Sequence, residues 1–562
     1  MKDLSEADQK TIKDLVKNRK FHKLEFEVQK LLLEKKNSFL LNLLGVCKIS
    51  KIPTSQKDLR EALQLFKEAY LKDETLIDAL FNYAEIGIRL LNYNEVKNLL
   101  IKYLNDKGYN YKANLALARI NFYLGNMDEC LLNYKKIIDN NDADIKLWPS
   151  FIFTTNYTYK YNHKDYLNFC KKYSEKLLKF DDNIISKFQY EIRPKKIRVG
   201  FFSADLREHS VSRFIEETLK VLRQNNFEII AFNNNNSADG DSTTNRLKEI
   251  FHEWYDIAKL SDIEALNLIR KKRINILFDL TGYSTGTRYE IFKNRSAPLQ
   301  ISWCGYCNSS GIQEMDYLIA DKNLIKEKDK ENYTEEVIRM TKIWNTHVLI
   351  SSKLEIKELP AKKNKYLTFG SFNNYAKLSD EVIETWSEIL SNNSSKIVLK
   401  SSINDHKLLR DNILNKFKKY GIGENRIIFM ERLKKYDDHL RAYNNIDISL
   451  DTFPFAGATT TFESLWMGVP TMTMNGEIFN SKFGVSINKN LNLNNFISND
   501  KNDYINKTKE IVSDLDYLSK IRHSLRDLAL KSALFDNKNF GLELCKILED
   551  KWNLFVNRNQ NS

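Results

Sequence analysis

The sequence predicts an all-α repeat region followed by two doubly wound, parallel α/β domains. Three observations predict it. Only four of the 18 glycines precede Pro194 and the other 14 follow it, so a glycine-poor, helix-periodic third gives way to a chain punctuated by tight turns. Residues 34 apart match in size within the first third. In the remainder, short apolar β-branched runs alternate with helix-like stretches, as strand–helix units do.

In the first third, Ala62, Val96 and Cys130 are spaced by 34, as are Phe66, Leu100 and Tyr134, and also Ala84 and Ala118. Gly45 precedes Ala84 by 39, with KIPTSQ (51–56) available as the insertion. Small residues where helices cross, with a larger one four positions on, resemble the tetratricopeptide repeat. The region 1–150 therefore reads as helical repeats, and 151–194 as connecting helices.

From 195 the strands come in two series. The first is IRVGFF (197–202), EIIAFN (228–233), INILFDL (274–280), LQISWC (299–304) and DYLIAD (316–321). The second is YLTFGSF (366–372), KIVLKS (396–401), RIIFM (426–430), DISLD (447–451) and PTMTM (470–474). Between them SSKLEIKELPAKKNK (351–365), charged and proline-containing, reads as a linker. Two Rossmann-like domains, 195–350 and 366–562, would then face each other across a cleft, with ligands at the carboxyl ends of the strands.

Composition narrows the function classes. The net charge is +13, but the lysines are dispersed and form no stripe or block, which argues for a solvated surface and against a nucleic-acid track. No run reaches the ~20 apolar residues of a membrane span, and MKDLSEADQKTIKDLVKNRK shows no apolar targeting core; the expected location is the cytoplasm. Six cysteines in 562 residues are too few for a disulfide framework. Cys304 and Cys307 form a lone CxxC with no second ligand pair, so no metal site is expected.

Three strand-end loops could carry chemistry. In FFSADLREHSVSRF, Asp205 and His209 could form a carboxylate-oriented base or a phosphate contact, although the segment taken alone fits a capping Asp with a surface His better. In FGSFNNYAKLSDEV, Asn373, Asn374 and Lys377 follow a strand just before a helix, where a diphosphate would be favoured. In DTFPFAGATTTFESLWMGVP (451–470), Thr459, Thr460 and Thr461 open a helix that carries Glu463. That pattern suits a pyrophosphate with an acid on ribose, and also a capping box from Thr460 to Glu463. There is no GxxxxGK[ST] and no GxGxxG after a strand.

These segments, together with ILFDLTGYSTGTRYEIFKNRSAPLQISWCGYCNSSG, MDYLIADKNL and DHLRAYNNIDISLDTFPFAGATTTFESLWMGVPTMTMNGE, resemble the catalytic region of glycosyltransferase family 41. These are the O-linked N-acetylglucosamine transferases, here of the bacterial type with an N-terminal tetratricopeptide array. The likeness spans roughly 150–550. It implies a GT-B fold and an inverting, metal-independent transfer of a sugar, N-acetylglucosamine foremost, from a UDP-sugar to Ser or Thr hydroxyls of a protein acceptor. No cofactor is implied. Mapped by motif, Lys377 would neutralise the departing diphosphate, and Asn374 would contact the donor. His439 would pack on the uridine, Thr459 and Thr460 would hold the diphosphate, and Glu463 the ribose. His209 falls on the family's active-site histidine. The repeats would hold the acceptor. Two positions depart from relatives: Ala458 replaces a histidine of the animal enzymes, and Tyr283 a histidine common in bacterial ones. The alternatives are an asparagine-linked glucosyltransferase of the same family and an inert, nucleotide-binding scaffold.

Overall fold

The computed structural model describes residues 4–35, 37–140, 144–186, 190–235, 240–348, 350–351, 353–391, 394–401, 407–431, 433 and 435–560. The chain divides into two compact units, residues 1–143 with 406–412, and residues 144–405 with 413–562.

The first unit is helical: α1 (Glu6–Lys17), α2 (Phe21–Glu34), α3 (Ser38–Ile49), α4 (Gln56–Lys72), α5 (Ile77–Arg89), α6 (Tyr93–Lys107), α7 (Tyr111–Tyr123) and α8 (Met127–Asp139). Caps set the starts. Ser55 and Asp58 form a reciprocal capping box at α4, and Asn110 accepts from the Ala113 N–H at α7, satisfying N–H groups a helix start leaves open. The 34-residue register is the packing register. Ala62, Val96 and Cys130 fall on α4, α6 and α8 and are fully buried. Their neighbours must be small: a Cβ on Gly45 would lie 2.5 Å from the Phe66 ring, and one on Gly87 2.3 Å from Val96. The helical region fits a tetratricopeptide array.

The second unit holds two parallel sheets. The first contains β1 (Ile197–Ser203), β2 (Phe227–Asn233), β3 (Glu253–Asp256), β4 (Ile276–Asp279), β5 (Leu299–Ser302), β6 (Tyr317–Asp321) and β7 (Glu336–Met340), in the order β3-β2-β1-β4-β5-β6-β7. The second contains β8 (Thr368–Ser371), β9 (Lys396–Lys400), β10 (Ile427–Met430), β11 (Ile448–Leu450), β12 (Thr471–Met474) and β13 (Ile497–Ser498), in the order β10-β9-β8-β11-β12-β13. Helices cover both faces, and central strands are buried throughout, as in Val199, Phe201, Ile276 and Phe278. The order reverses between β1 and β4 and again between β8 and β11, and each reversal opens a crevice at the strands' carboxyl ends. Among the described residues no helix is long and apolar enough to cross a membrane.

Four features differ from expectation. The sheets gain β3, β7 and β13, all edge strands. Residues 353–365 of the expected linker pack as a strap: Leu354 and Leu359 are buried, Arg522 and Arg526 donate to the Lys357 and Leu354 carbonyls at 2.7 Å each, and Pro360–Asn364 is helical. The last helix, Asn537–Gln560, returns to the first sheet's layer, where Phe540 stacks on Trp303 at 6.1 Å and Gly541 meets Val221. Helix Trp148–Thr155, placed in the sequence across the end of the repeats, belongs with the second unit.

Candidate functional site

A cavity of about 270 Å³ opens where the two reversals face each other. From the first sheet it is lined by His209 and Phe214 after β1, and by Cys304–Cys307 after β5. From the second it is lined by Asn373, Asn374 and Lys377 after β8, Phe455–Thr460 after β11, and Asn480 and Phe483 after β12. Phe153, from helix Trp148–Thr155, closes one side.

The Asp451 carboxylate shapes one corner of the cavity. It sits just past β11, buried, and accepts from the N–H groups of Gly457 at 2.7 Å and Thr452 at 2.9 Å and from the Thr473 hydroxyl at 2.9 Å. Burial pushes it up to about 6, with those hydrogen bonds and Lys377 pulling the other way. The loop it anchors admits no side chain at Gly457, where a Cβ would stand 2.3 Å from Thr460 Oγ1 and 3.1 Å from Asp451. Helix Thr459–Trp466 then starts at Ala458 with no side-chain cap. The expected capping box is therefore absent: the Thr460 hydroxyl instead reaches Asn373 Oδ1 at 3.4 Å. Uncapped N–H groups with the positive end of the helix dipole favour an anion.

Lys377 completes this corner. Its ammonium lies 4.2 Å over the Phe455 ring and donates to the Ala456 carbonyl at 2.9 Å. Burial pulls it down to about 8, only partly offset by Asp451. A cation held at such a desolvation cost gains when a diphosphate arrives.

His209 caps helix Ser210–Gln224, its Nδ1 accepting from the Val211 N–H at 3.3 Å. Asp205 Oδ2 stays 3.7 Å from that nitrogen while Oδ1 takes Arg207 at 3.1 Å. The carboxylate-oriented base is thus not formed. Burial lowers the His209 pKa, and the neutral ring with Nδ1 accepting carries its proton on Nε2, so His209 is a donor.

Glu463 lies one helical turn beyond Thr459, with His439 of helix Tyr436–Arg441 bonded to it, and both are outside the cavity lining. Glu463, 2% exposed, accepts from His439 Nε2 at 2.9 Å, Tyr436 at 2.9 Å and Arg213 Nη1 at 3.0 Å. Burial would raise it, but His439 and Arg213 overcome that and hold it at about 2. Lys400 bonds His439 Nδ1, and the ring sits among Phe372, Tyr436 and Tyr443 at 5.8–6.0 Å. Arg213, whose guanidinium lies 3.8 Å over Tyr436, comes from the first sheet's domain and was not visible as a site residue; only its place one turn after His209 hints at it.

The structure thus brings His209, Asn374, Lys377, Thr459 and Thr460 to one cavity and His439 with Glu463 to an adjoining cluster. Thr461 departs from expectation: it is buried and its hydroxyl donates to the Gly457 carbonyl at 2.8 Å, the i−4 bond open to a threonine in a helix's first turn. Cys304 and Cys307 are buried free thiols, both pushed up by burial. Tyr283 is buried, its hydroxyl bonded to the Ser310 carbonyl.

Comparison with known proteins agrees with this geometry. The model of "Glycosyl transferase family 41" matches residues 168–348 and 345–544. A Solanum lycopersicum protein named as a probable UDP-N-acetylglucosamine–peptide N-acetylglucosaminyltransferase, SPINDLY, is 31% identical over 367 residues, 64% of this chain and 39% of that protein. The Arabidopsis thaliana protein of the same name is 31% identical over 361 residues, 64% of this chain and 40% of that one. The chain spans about two fifths of the length of these relatives. A mutant O-GlcNAc transferase from Thermobaculum terrenum shares the fold, with a TM-score of 0.78 over 89% of this chain and 95% of that one, at 22% identity.

Proposed function

Because the chain belongs to glycosyl transferase family 41, we propose that it moves a sugar, N-acetylglucosamine foremost, from a UDP-sugar to Ser or Thr hydroxyls of a protein. The observation that carries this reading is Lys377 beside an uncapped helix N-terminus at the second sheet's reversal. An acceptor hydroxyl attacks the anomeric carbon from the face opposite the nucleotide, inverting it, as the bond to the β-phosphate oxygen breaks and the hydroxyl proton passes to an oxygen of the departing diphosphate or to water. The charge left on UDP meets the Lys377 ammonium and the N–H groups and hydroxyls of Thr459 and Thr460, with Asn374 as a further donor contact. His209 offers its Nε2 proton to a sugar or phosphate oxygen. Glu463 takes ribose hydroxyls and His439 packs on uracil, while the helical repeats hold the acceptor. The names of the relatives support UDP-N-acetylglucosamine as donor.

The test is incubation with UDP-N-acetylglucosamine, UDP-glucose or GDP-fucose beside native lysate, read by intact mass. Addition of one hexosamine residue to Ser or Thr is expected. One hexose on Asn would replace this reading with the asparagine-linked one, and no nucleotide release from any donor would leave a scaffold.

Two further outcomes follow. With the positive charge supplied by Lys377 and helix N–H groups, a chelator is expected to leave turnover unchanged; loss restored by manganese would overturn metal independence. A diphosphate binds the protonated form of Lys377 and raises its pKa from about 8. UDP affinity should therefore be flat between about pH 7, where the terminal phosphate is fully ionised, and pH 8, and weaken above it, approaching tenfold per pH unit, with one proton taken up. Calorimetry in buffers of different ionisation enthalpy measures that proton; no uptake at pH 9 would separate Lys377 from the diphosphate.

A further inference from the structure

We propose that Asn156, on the segment joining the repeats to the catalytic unit, is a positioning residue for the sugar end of the cavity; this rests on the function proposed above. Asn156 follows helix Trp148–Thr155 and is buried to 1% exposure. Its amide is saturated. Nδ2 donates to the Phe153 carbonyl at 3.0 Å and to the Tyr306 hydroxyl at 2.9 Å. Oδ1 accepts from Asn308 Nδ2 at 3.1 Å and from Asn480 Nδ2 at 2.9 Å.

Tyr306 and Asn480 both line the cavity, one from the loop after β5 and the other from the turn after β12. A single amide therefore ties the connecting segment to both sheet domains. The Tyr306 hydroxyl is also shared with Tyr166 at 2.9 Å, so the ring is fixed from two sides. The next residue, Tyr157, packs edge-on against Phe455 at 4.8 Å, the ring that lies under the Lys377 ammonium. Whatever is joined to a diphosphate at Lys377 enters the space between Phe455, Tyr306 and Asn480, and Asn156 sets the separation of those walls. Asparagine suits the task because a short side chain must donate and accept at once. Aspartate keeps the acceptor and loses the donor; serine reaches neither wall.

The role predicts a split between nucleotide and sugar. Asn156→Ser and Tyr306→Phe should bind UDP within about twofold of wild type. UDP release from UDP-N-acetylglucosamine to water should fall about tenfold in kcat/KM, the scale of one buried hydrogen bond lost. Asn156→Ser already removes the contact that Tyr306→Phe removes, so the double variant should be little worse than Asn156→Ser alone. Asn156→Asp should recover part of the loss. Tyr306→Phe keeps the ring and serves where Asn156→Ser does not fold. Parallel weakening of UDP and UDP-N-acetylglucosamine, additive losses, or wild-type turnover in a folded Asn156→Ser would overturn the proposal. A wild-type protein that neither binds UDP nor releases it from the sugar nucleotide would instead overturn the function itself.

Discussion

Replacing Lys377 with alanine is expected to lower kcat by about 10²–10³-fold, the cost of losing one charge-stabilising contact to a leaving group, while the protein stays folded. The asymmetry follows from the environment. The ammonium is held over Phe455 with one protein acceptor, the Ala456 carbonyl, and burial already pulls its pKa down to about 8. Removing it relieves a desolvated charge, so thermal unfolding should move little. Arginine should not rescue: its planar fork cannot occupy the point held by a compact ammonium between Phe455 and the Gly457 loop. UDP release and a melting curve on the same preparation check both halves. Turnover within threefold of wild type would remove Lys377 from the chemistry.

The central strands were legible because both faces are covered: VGFF and ILFD read as unbroken apolar runs. Of the four edge strands only the apolar β10 was legible: EWYD in β3 and EVIRM in β7 carry the charges that keep an edge from pairing further, and β13 has two residues. Of the site, the loops at strand ends could be found, since a strand running into Asn373–Lys377 or Asp451–Thr461 has a fixed place in a doubly wound sheet. Side chains that meet only through topology could not. Asn156 lies 150 residues from Tyr306 and 324 from Asn480, and Arg213 lies 250 from Glu463; no local periodicity encodes such pairs. Thr461 shows the reverse error. Three consecutive threonines look equivalent in a sequence, but at 100° per residue a helix turns the third inward.

The Arg213–Glu463 contact gives the cleft its own energetics. Glu463 is a buried carboxylate whose charge is compensated from both domains, by Arg213 on one side and His439 with Tyr436 on the other. If ribose hydroxyls reach Glu463 as proposed, they share it with these donors, and nucleotide binding is then linked to the fit of the two domains through one side chain.

Glu463→Ala is accordingly expected to destabilise the catalytic unit by about 3–5 kcal/mol, because it removes the buried carboxylate that His439 and Tyr436 bond and leaves the Arg213 guanidinium with the more exposed Glu208 as its carboxylate partner. The denaturant midpoint of the catalytic-unit transition measures this. The carboxyl is held at about 2 against a usual 4.5. Its folded pKa is depressed, so the stabilisation is complete above pH 4.5 and is lost as pH falls toward 2, by about 3 kcal/mol in all. Wild type should therefore lose stability across that window and Glu463→Gln should lose less. Glutamine keeps the shape and one acceptor, so it separates folding from binding. With a folded Glu463→Gln protein, UDP affinity should fall by more than about tenfold, as two ribose hydroxyls exchange a carboxylate for a neutral amide. Unchanged UDP affinity in that variant would leave Glu463 as an interdomain tie alone and remove it from the donor site.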